Sequence, residues 1–435
     1  MRRFLMLRKR NILTNRKELP VVADMLTAKA VNPAAGTTMD GQGALTAQKA
    51  KQNREPRTGS RALQWLALAL TPGLGPTRCR KLVAHFGGID AVFDTSLTEL
   101  EAAGLQAQSA QALALGKSQE AAEDELVRAT AVGAQVVTLD DAIYPKQLRE
   151  IYDPPTALYV RGDVDVLNAP GIAVVGTRHP TPYGQGMAER LACDLAARGL
   201  IIFSGLARGV DTASHRGCIA GRGRTVAVLG TGVDVIYPRE NQKLSDQILV
   251  TGGAIVSEFA VGTFAAPQNF PIRNRIISGL SIGVLVVEAG EYSGTRITSR
   301  CALEQNRDMF AVPGNVTNKL SWTPNTLIKQ GAKLVATWDD VWEELPTNIK
   351  AQLTPAETSA TAQPATASLF DGNSLSPHER KVLALIKADE ATQIDDLIEK
   401  LEPAVSSSEI FTVLFELELA GKIRQLPGKN YVRTF

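Results

Sequence analysis

The sequence predicts an α/β protein: a doubly wound, Rossmann-like parallel sheet, preceded by a small helical domain and followed by a winged-helix domain. Three observations carry that expectation. Six short apolar runs recur between residues 172 and 312, separated by helix-compatible segments. A helix, a Gly-Leu-Gly hairpin and a second helix are legible near the start of the ordered pattern. A helix, helix, helix, hairpin pattern closes the chain, after a stretch rich in Ala, Thr, Pro and Gln.

At 435 residues the chain is long enough for two or three domains with their own cores. No run approaches the roughly 18 apolar residues of a membrane span, so no membrane partner is expected. Cys79, Cys193, Cys218 and Cys301 are scattered without a CxxC pair. That pattern argues against a zinc site or a disulfide framework and fits a reducing compartment. The net charge of +2 is unevenly spread. Residues 1–60 carry 12 Lys/Arg against 4 Asp/Glu, and residues 171–335 carry 17 against 11, of which 13 are arginine. The rest of the chain is acidic. An arginine-dominated centre suggests an anionic partner, because guanidinium grips phosphate at two points. Surface arginines with no ligand are the competing explanation.

Residues 1–58 read as a disordered basic arm: a cationic Arg2-to-Lys17 segment, then an Ala/Gly/Thr/Gln-rich stretch without periodicity. Residues 61–135 form the helical domain. Leu63-to-Leu68 leads into Thr71-Pro72-Gly73-Leu74-Gly75-Pro76 and another helical run through Phe86, which is helix-hairpin-helix (SAM-like) in layout. A degenerate second copy surrounds Gly104-Leu105. Its charge is not basic, so a packing role is favoured over DNA contact.

Residues 136–345 hold the sheet, introduced by a proline-rich connector around Asp153-Pro154-Pro155. The predicted parallel strands are Ile172–Val175, Leu200–Phe203, Thr225–Leu229, Ala254–Val256, Gly283–Val287 and Met309–Val312. Residues 346–375 have linker composition. Residues 376–435 are the winged-helix-like domain. Its third helix, Ser407–Ala420, carries Glu409, Glu416 and Glu418 and neither Lys nor Arg. Facing a major groove it would meet phosphate with the wrong charge, so the domain reads as a protein-interaction or regulatory module.

Ligands of open parallel sheets lie beyond the carboxyl ends of the strands. At those ends the sequence places Gly176-Thr177-Arg178, Ser204-Gly205 with Arg208, and Gly230-Thr231-Gly232 leading to Arg239 and Asn241. It also places Arg273-Asn274-Arg275 there, and Ser293-Gly294 after Glu288. Read as separate loops, these form a phosphate-gripping surface longer than one nucleotide needs. The Ser204-to-Asp211 stretch in particular offers glycine-rich backbone N–H groups before a helix, with Asp211 expected to cap that helix.

Other chemistries lack their residues. There is no GxxxxGK[ST] and no GxGxxG after the first strand. The four histidines have no metal-ligand spacing, and His215 reads as structural. Glu258 and Glu288 read as carboxylates holding arginines in place. No cofactor and no metal are expected.

These motifs, together with Tyr237-Pro238-Arg239-Glu240-Asn241, Ser257-Glu258-Phe259, Asn269-to-Ile277 and Val312-Pro313-Gly314, resemble the DNA-processing protein A (DprA, or Smf) family. The resemblance spans about residues 61 to 345, and the C-terminal module is similar to the family's own. It implies a bacterial, cytoplasmic, homodimeric, non-enzymatic protein that binds single-stranded DNA. Such a protein would shield incoming strands during natural transformation and help load a RecA-type recombinase. Arg178 and Arg239 would contact phosphates, with Arg208 and Arg273-Asn274-Arg275 extending the pocket. Two positions depart from the usual pattern: Thr177 stands where serine is common, and Arg239 where lysine is. The alternative is a nucleotide-processing enzyme similar to the lysine-decarboxylase-like (LOG) phosphoribohydrolases, because Glu288 and Ser293-Gly294-Thr295 echo their acidic, Gly-rich loop. Their Pro-Gly-Gly-x-Gly-Thr signature is absent here.

Overall fold

Nine strands form one sheet in the computed structural model, which describes residues 61–353, 376–387, 390–402 and 405–433. The expected basic arm, and residues 354–375 of the expected linker, lie outside the described residues. The strands are β1 (Gln135–Thr138), β2 (Ala157–Gly162), β3 (Gly171–Val175), β4 (Ile201–Ser204) and β5 (Thr225–Val228). They continue with β6 (Ala254–Ser257), β7 (Gly283–Val286), β8 (Asp308–Ala311) and β9 (Lys333–Leu334). Their order across the sheet is β1-β2-β6-β5-β4-β3-β7-β8-β9.

From β6 to β9 neighbouring strands are parallel, with Val228 opposite Val256, Ile172 opposite Ile202 and Val175 opposite Val286. All six strands expected from the apolar runs are present. The sheet is nevertheless mixed rather than purely parallel. The proline-rich connector supplies β2, which pairs antiparallel with β6 through Tyr159 and Ser257, and β1 pairs antiparallel with β2.

Strands β3 to β7 are buried on both faces, which is why their sequences read as continuous apolar runs instead of alternating ones. Ile172, Val174, Ile202 and Leu285 face the helices Pro182–Ala196 and Val210–Ala220 through Met187, Leu191, Leu195 and Val210. Ala173, Val175, Phe203, Val226 and Val284 face the helix Asn269–Leu280 through Ile276, Ile277 and Leu280.

That second core is continuous with the helical region, since Trp65, Leu68, Leu82 and Leu100 belong to it. Two helical hairpins are present there: Arg61–Leu70 with Pro76–Phe86, and Leu97–Ala102 with Ala107–Ala114. Their turns hold Gly73 and Gly104 at positive φ. The expected linker begins later than composition suggests. Thr347–Gln352 is a helix, and Leu353 is buried against the first helix layer.

The C-terminal region has helices Pro377–Leu385, Ile394–Leu401 and Ser407–Leu419, and strands β10 (Thr392–Gln393), β11 (Ile423–Leu426) and β12 (Asn430–Arg433). Capping boxes at Ser376/Glu379 and Ser406/Glu409 start the first and third helices. This is a winged helix, with Val382, Leu397, Ile410, Leu414, Leu417 and Tyr431 forming its own core.

Candidate nucleic-acid interface

The strand order reverses beside β3: the chain runs outward through β4, β5 and β6, then returns to place β7 on the other flank. A crevice opens at such a switch point because the two following loops diverge. Here it measures about 660 Å³, and its walls include Gly176, Thr177 and Arg178 after β3, and Ser293 and Gly294 after β7. Arg273 and Asn274 line it as well. A smaller adjoining pocket shares Arg178, Phe270 and Arg273, and adds Gly205, Arg208, Tyr237 and Pro238.

The loop after β3 is fixed from below by Glu288. Thr177 N–H donates to the Glu288 carbonyl at 2.6 Å. The Thr181 N–H and hydroxyl donate to the Glu288 carboxylate at 2.8 and 2.7 Å. Gly184 leaves room for that carboxylate, since a Cβ there would lie 2.2 Å from Oε2. Through these bonds Glu288 anchors the backbone that carries Arg178. Arg178 itself is exposed, its guanidinium 5.5 Å from the Phe270 ring centroid, and it makes no ion pair among the described residues. Cation and ring form one ledge, because the face of an aromatic ring attracts positive charge.

The Ser204-to-Asp211 stretch departs from expectation in an instructive way. Two of its N–H groups are already engaged by the carboxyl group of Asp211, which accepts from Gly205 at 3.1 Å and Ala207 at 3.3 Å. Asp211 thus folds the preceding loop instead of capping its own helix, whose N-cap is Gly209. Gly209 sits at φ +73°, where a Cβ would also strike the Thr177 carbonyl. Ser204 is buried and donates to the Val174 carbonyl at 2.7 Å. Asn241 is buried too, its amide donating to the Leu206 carbonyl and to the Thr212 hydroxyl, both at 2.9 Å. Neither side chain is presented to a ligand.

Arg273-Asn274-Arg275 is not a loop. All three lie on the helix Asn269–Leu280, whose Pro271 falls in the first turn, where a missing N–H costs nothing. Arg273 is 4 % exposed and donates through Nη1 to the Val228 carbonyl. Its guanidinium fills the space that a Gly205 Cβ would need. Burial lowers its pKa to about 10, with Asp211 opposing that shift, so it is charged at neutral pH. Arg275 points away from the crevice into Glu258 at 2.5 Å and Asp153 at 3.1 Å. Glu258 does hold an arginine, as expected; Arg275 leaves the set of ligand-facing groups.

Arg208 lies at the pocket mouth but is paired, Nε to Glu240 Oε1 at 2.6 Å and Nη2 to Oε2 at 2.8 Å. Arg239, one residue beyond the pocket-lining Pro238, is exposed and makes no ion pair among the described residues. His215 is structural: fully buried, its Nδ1 lies 2.7 Å from the Thr225 hydroxyl, and burial lowers its pKa to about 3. Among the described residues there is no group of three metal-ligating side chains and no helix long and apolar enough to cross a membrane.

The aromatic wall escaped sequence reasoning. Tyr237 and Phe270 sit 5.8 Å apart between centroids, and Tyr292 projects from the β7 loop, 92 % exposed, at the crevice rim. Tyr237 and Phe270 stand within the motifs quoted above, and Tyr292 within a polar loop flanked by glycine, but nothing local joins the three rings into one wall.

Fold and site together define a class: a doubly wound α/β protein whose switch-point crevice is lined by arginine and aromatic residues, joined to a winged helix. A family model described as DNA recombination-mediator protein A matches residues 135–346, and one described as the DprA winged helix domain matches residues 355–429. Protein Smf of Escherichia coli K12 is 38 % identical over 372 residues, covering 85 % of this chain and 94 % of that protein. The DNA processing protein DprA of Bacillus subtilis is 43 % identical over 215 residues, 49 % of this chain and 72 % of that one. The crystal structure of DprA from Streptococcus pneumoniae aligns at a TM-score of 0.58 with 33 % identity, covering 66 % of this chain and 99 % of that chain. The chain belongs to the DprA/Smf family of DNA-processing, recombination-mediator proteins.

Proposed function

We propose that this protein is a non-enzymatic mediator that holds single-stranded DNA along the switch-point crevice. The observation that carries this reading is the contrast among its arginines. Arg178 and Arg239 are exposed and make no ion pair among the described residues, whereas Arg273 is buried in the pocket wall it shares with Arg178. Free guanidinium groups release counterions when phosphate binds, and neighbouring aromatic faces accept any base. Tyr237, Phe270 and Tyr292 supply such faces around the same crevice.

In this reading the strand's phosphates meet Arg178 and Arg239. Arg208 joins them once a phosphate displaces Glu240, and Thr177, Asn274, Ser293 and Gly294 donate hydrogen bonds from the walls. Family membership supports the further steps: shielding of incoming strands, loading of a RecA-type recombinase, action as a homodimer, and a role in transformation in the bacterial cytoplasm. Glu288 gives the phosphoribohydrolase alternative little support, since its carboxylate is spent on Thr181. The test compares single- and double-stranded oligonucleotides of equal length with the full chain. Preference for the single strand, weakened by Arg178→Ala, supports the reading. Equal affinity for both, or base release from nucleoside monophosphates, contradicts it.

A further inference from the structure

The winged helix carries a surface that is not part of the crevice lining. Its third helix, Ser407–Leu419, turns Ile410, Val413, Leu414 and Leu417 inward, and these complete the domain's core. On the outer side it exposes Phe411 by 49 %, Phe415 by 65 % and Leu419 by 73 %. These positions are spaced i, i+4, i+8, so they stack along one stripe of the helix. Two exposed phenylalanines on a helix whose inner face is already satisfied are not spare core. A contiguous apolar stripe at the surface of a folded domain marks a contact site.

Charge selects the partner. From Ile394 to Ala420 the sequence carries Asp395, Asp396, Glu399, Glu402, Glu409, Glu416 and Glu418 against Lys400 alone. All seven carboxylate residues are exposed. Basic residues of this domain lie elsewhere: Arg380 and Lys381 on the first helix, Lys387 just after it, and Lys422, Arg424, Lys429 and Arg433 on or beside the wing. A nucleic acid approaching the third helix would meet negative charge and phenylalanine, the reverse of what a groove-reading helix offers. An acidic, aromatic-striped helix suits a protein segment that is itself helical, with apolar side chains on one face and Lys/Arg flanking them.

We propose that the outer face of the helix Ser407–Leu419 is a docking site for a basic amphipathic helix of a partner protein, with Phe411 and Phe415 as its anchors. Large aromatic side chains at the centre of an interface supply most of its affinity, and the rim charges set approach and orientation.

The test uses the full chain and two labelled synthetic helical peptides, one with leucine at i, i+4, i+7 flanked by lysine, and one with glutamate replacing every lysine. Fluorescence anisotropy should show binding of the lysine peptide, weakening with salt, and none of the glutamate peptide. The double variant F411S/F415S should weaken binding roughly tenfold or more, the size of an anchor loss. Its melting temperature and its affinity for single-stranded oligonucleotide should be unchanged. R424S on the wing should leave peptide binding unchanged. Equal binding of the lysine peptide to wild type and F411S/F415S would overturn the proposal. So would loss, in that variant, of self-association measured by sedimentation, which would assign the stripe to a second copy. Loss of double-stranded DNA binding in it would assign the stripe to nucleic acid.

Discussion

Arg208 and Glu240 form a two-point ion pair across the mouth of the pocket, Nε to Oε1 at 2.6 Å and Nη2 to Oε2 at 2.8 Å. Both side chains are more than half exposed, so water screens the pair and a phosphate can compete for the guanidinium. The pair lowers the Glu240 pKa, and so keeps that carboxylate charged, chiefly through the hydrogen bond from Arg208. Replacing it with Glu240→Gln should free Arg208 and remove a like charge from the path of the strand. Oligonucleotide affinity should rise several-fold, with a steeper salt dependence by about 0.7, the increment for one more phosphate contact on a single strand. Unchanged affinity would mean that Arg208 does not meet the strand.

Gly205 has a packing reason. A methyl group there would sit 2.0 Å from Arg273 Nη1. Gly205→Ala must push a buried guanidinium off the Val228 carbonyl, and overpacking of this kind costs about 1–3 kcal/mol. Urea denaturation should show that loss, together with weaker oligonucleotide binding. Full stability in this variant would contradict the close packing of Gly205 on Arg273.

Arg275 supplies the contrasting case. It bridges Glu258 and Asp153, and removing it leaves Glu258, whose side chain is only 11 % exposed, without its countercharge. Arg275→Met should cost about 3 kcal/mol or more of stability, the usual penalty for breaking a buried pair. Under conditions where the variant is folded, the salt slope of strand binding should match the wild type. A reduced slope would return Arg275 to the interface.

His215 gives the stability a pH signature. Burial holds its folded-state pKa near 3, against an ordinary value of 6.5 in the unfolded chain. Between these values the unfolded state binds one more proton, so stability falls as pH drops below about 6.5, by about 1.4 kcal/mol per pH unit. Above that range the residue contributes no slope. His215→Gln keeps the site neutral at every pH. The difference between its stability and that of the wild type, followed from pH 7 to pH 4 by denaturant titration, should change by this slope. A constant difference would mean that His215 is protonated in the fold.

The parallel strands were legible because burial on both faces forces unbroken apolar runs such as Ile172–Val175 and Gly283–Val287. The helix Asn269–Leu280 was not, because Pro271 reads as a helix breaker when its place in the first turn is unknown. Its period held the missing information: Arg273 stands at i with Ile276, Ile277 and Leu280 at i+3, i+4 and i+7, the buried stripe of that helix. An arginine on an apolar stripe is a buried arginine. The Arg208–Glu240 pair spans 32 residues of sequence, and Asp211's hold on Gly205 and Ala207 needs the loop to turn back through a left-handed Leu206. Neither has a local signature. Residue types at the crevice were therefore readable, while which arginines are free and which are engaged came only from the fold.

The central claim is that Arg178 and Arg239 hold the strand by its phosphates. Oligonucleotide affinity measured across a salt series, for the wild type and for the R178A/R239A double variant, tests it most directly. Losing two phosphate contacts should weaken binding and reduce the slope of log affinity against log salt by about 1.4. An affinity and a slope both equal to those of the wild type would contradict it.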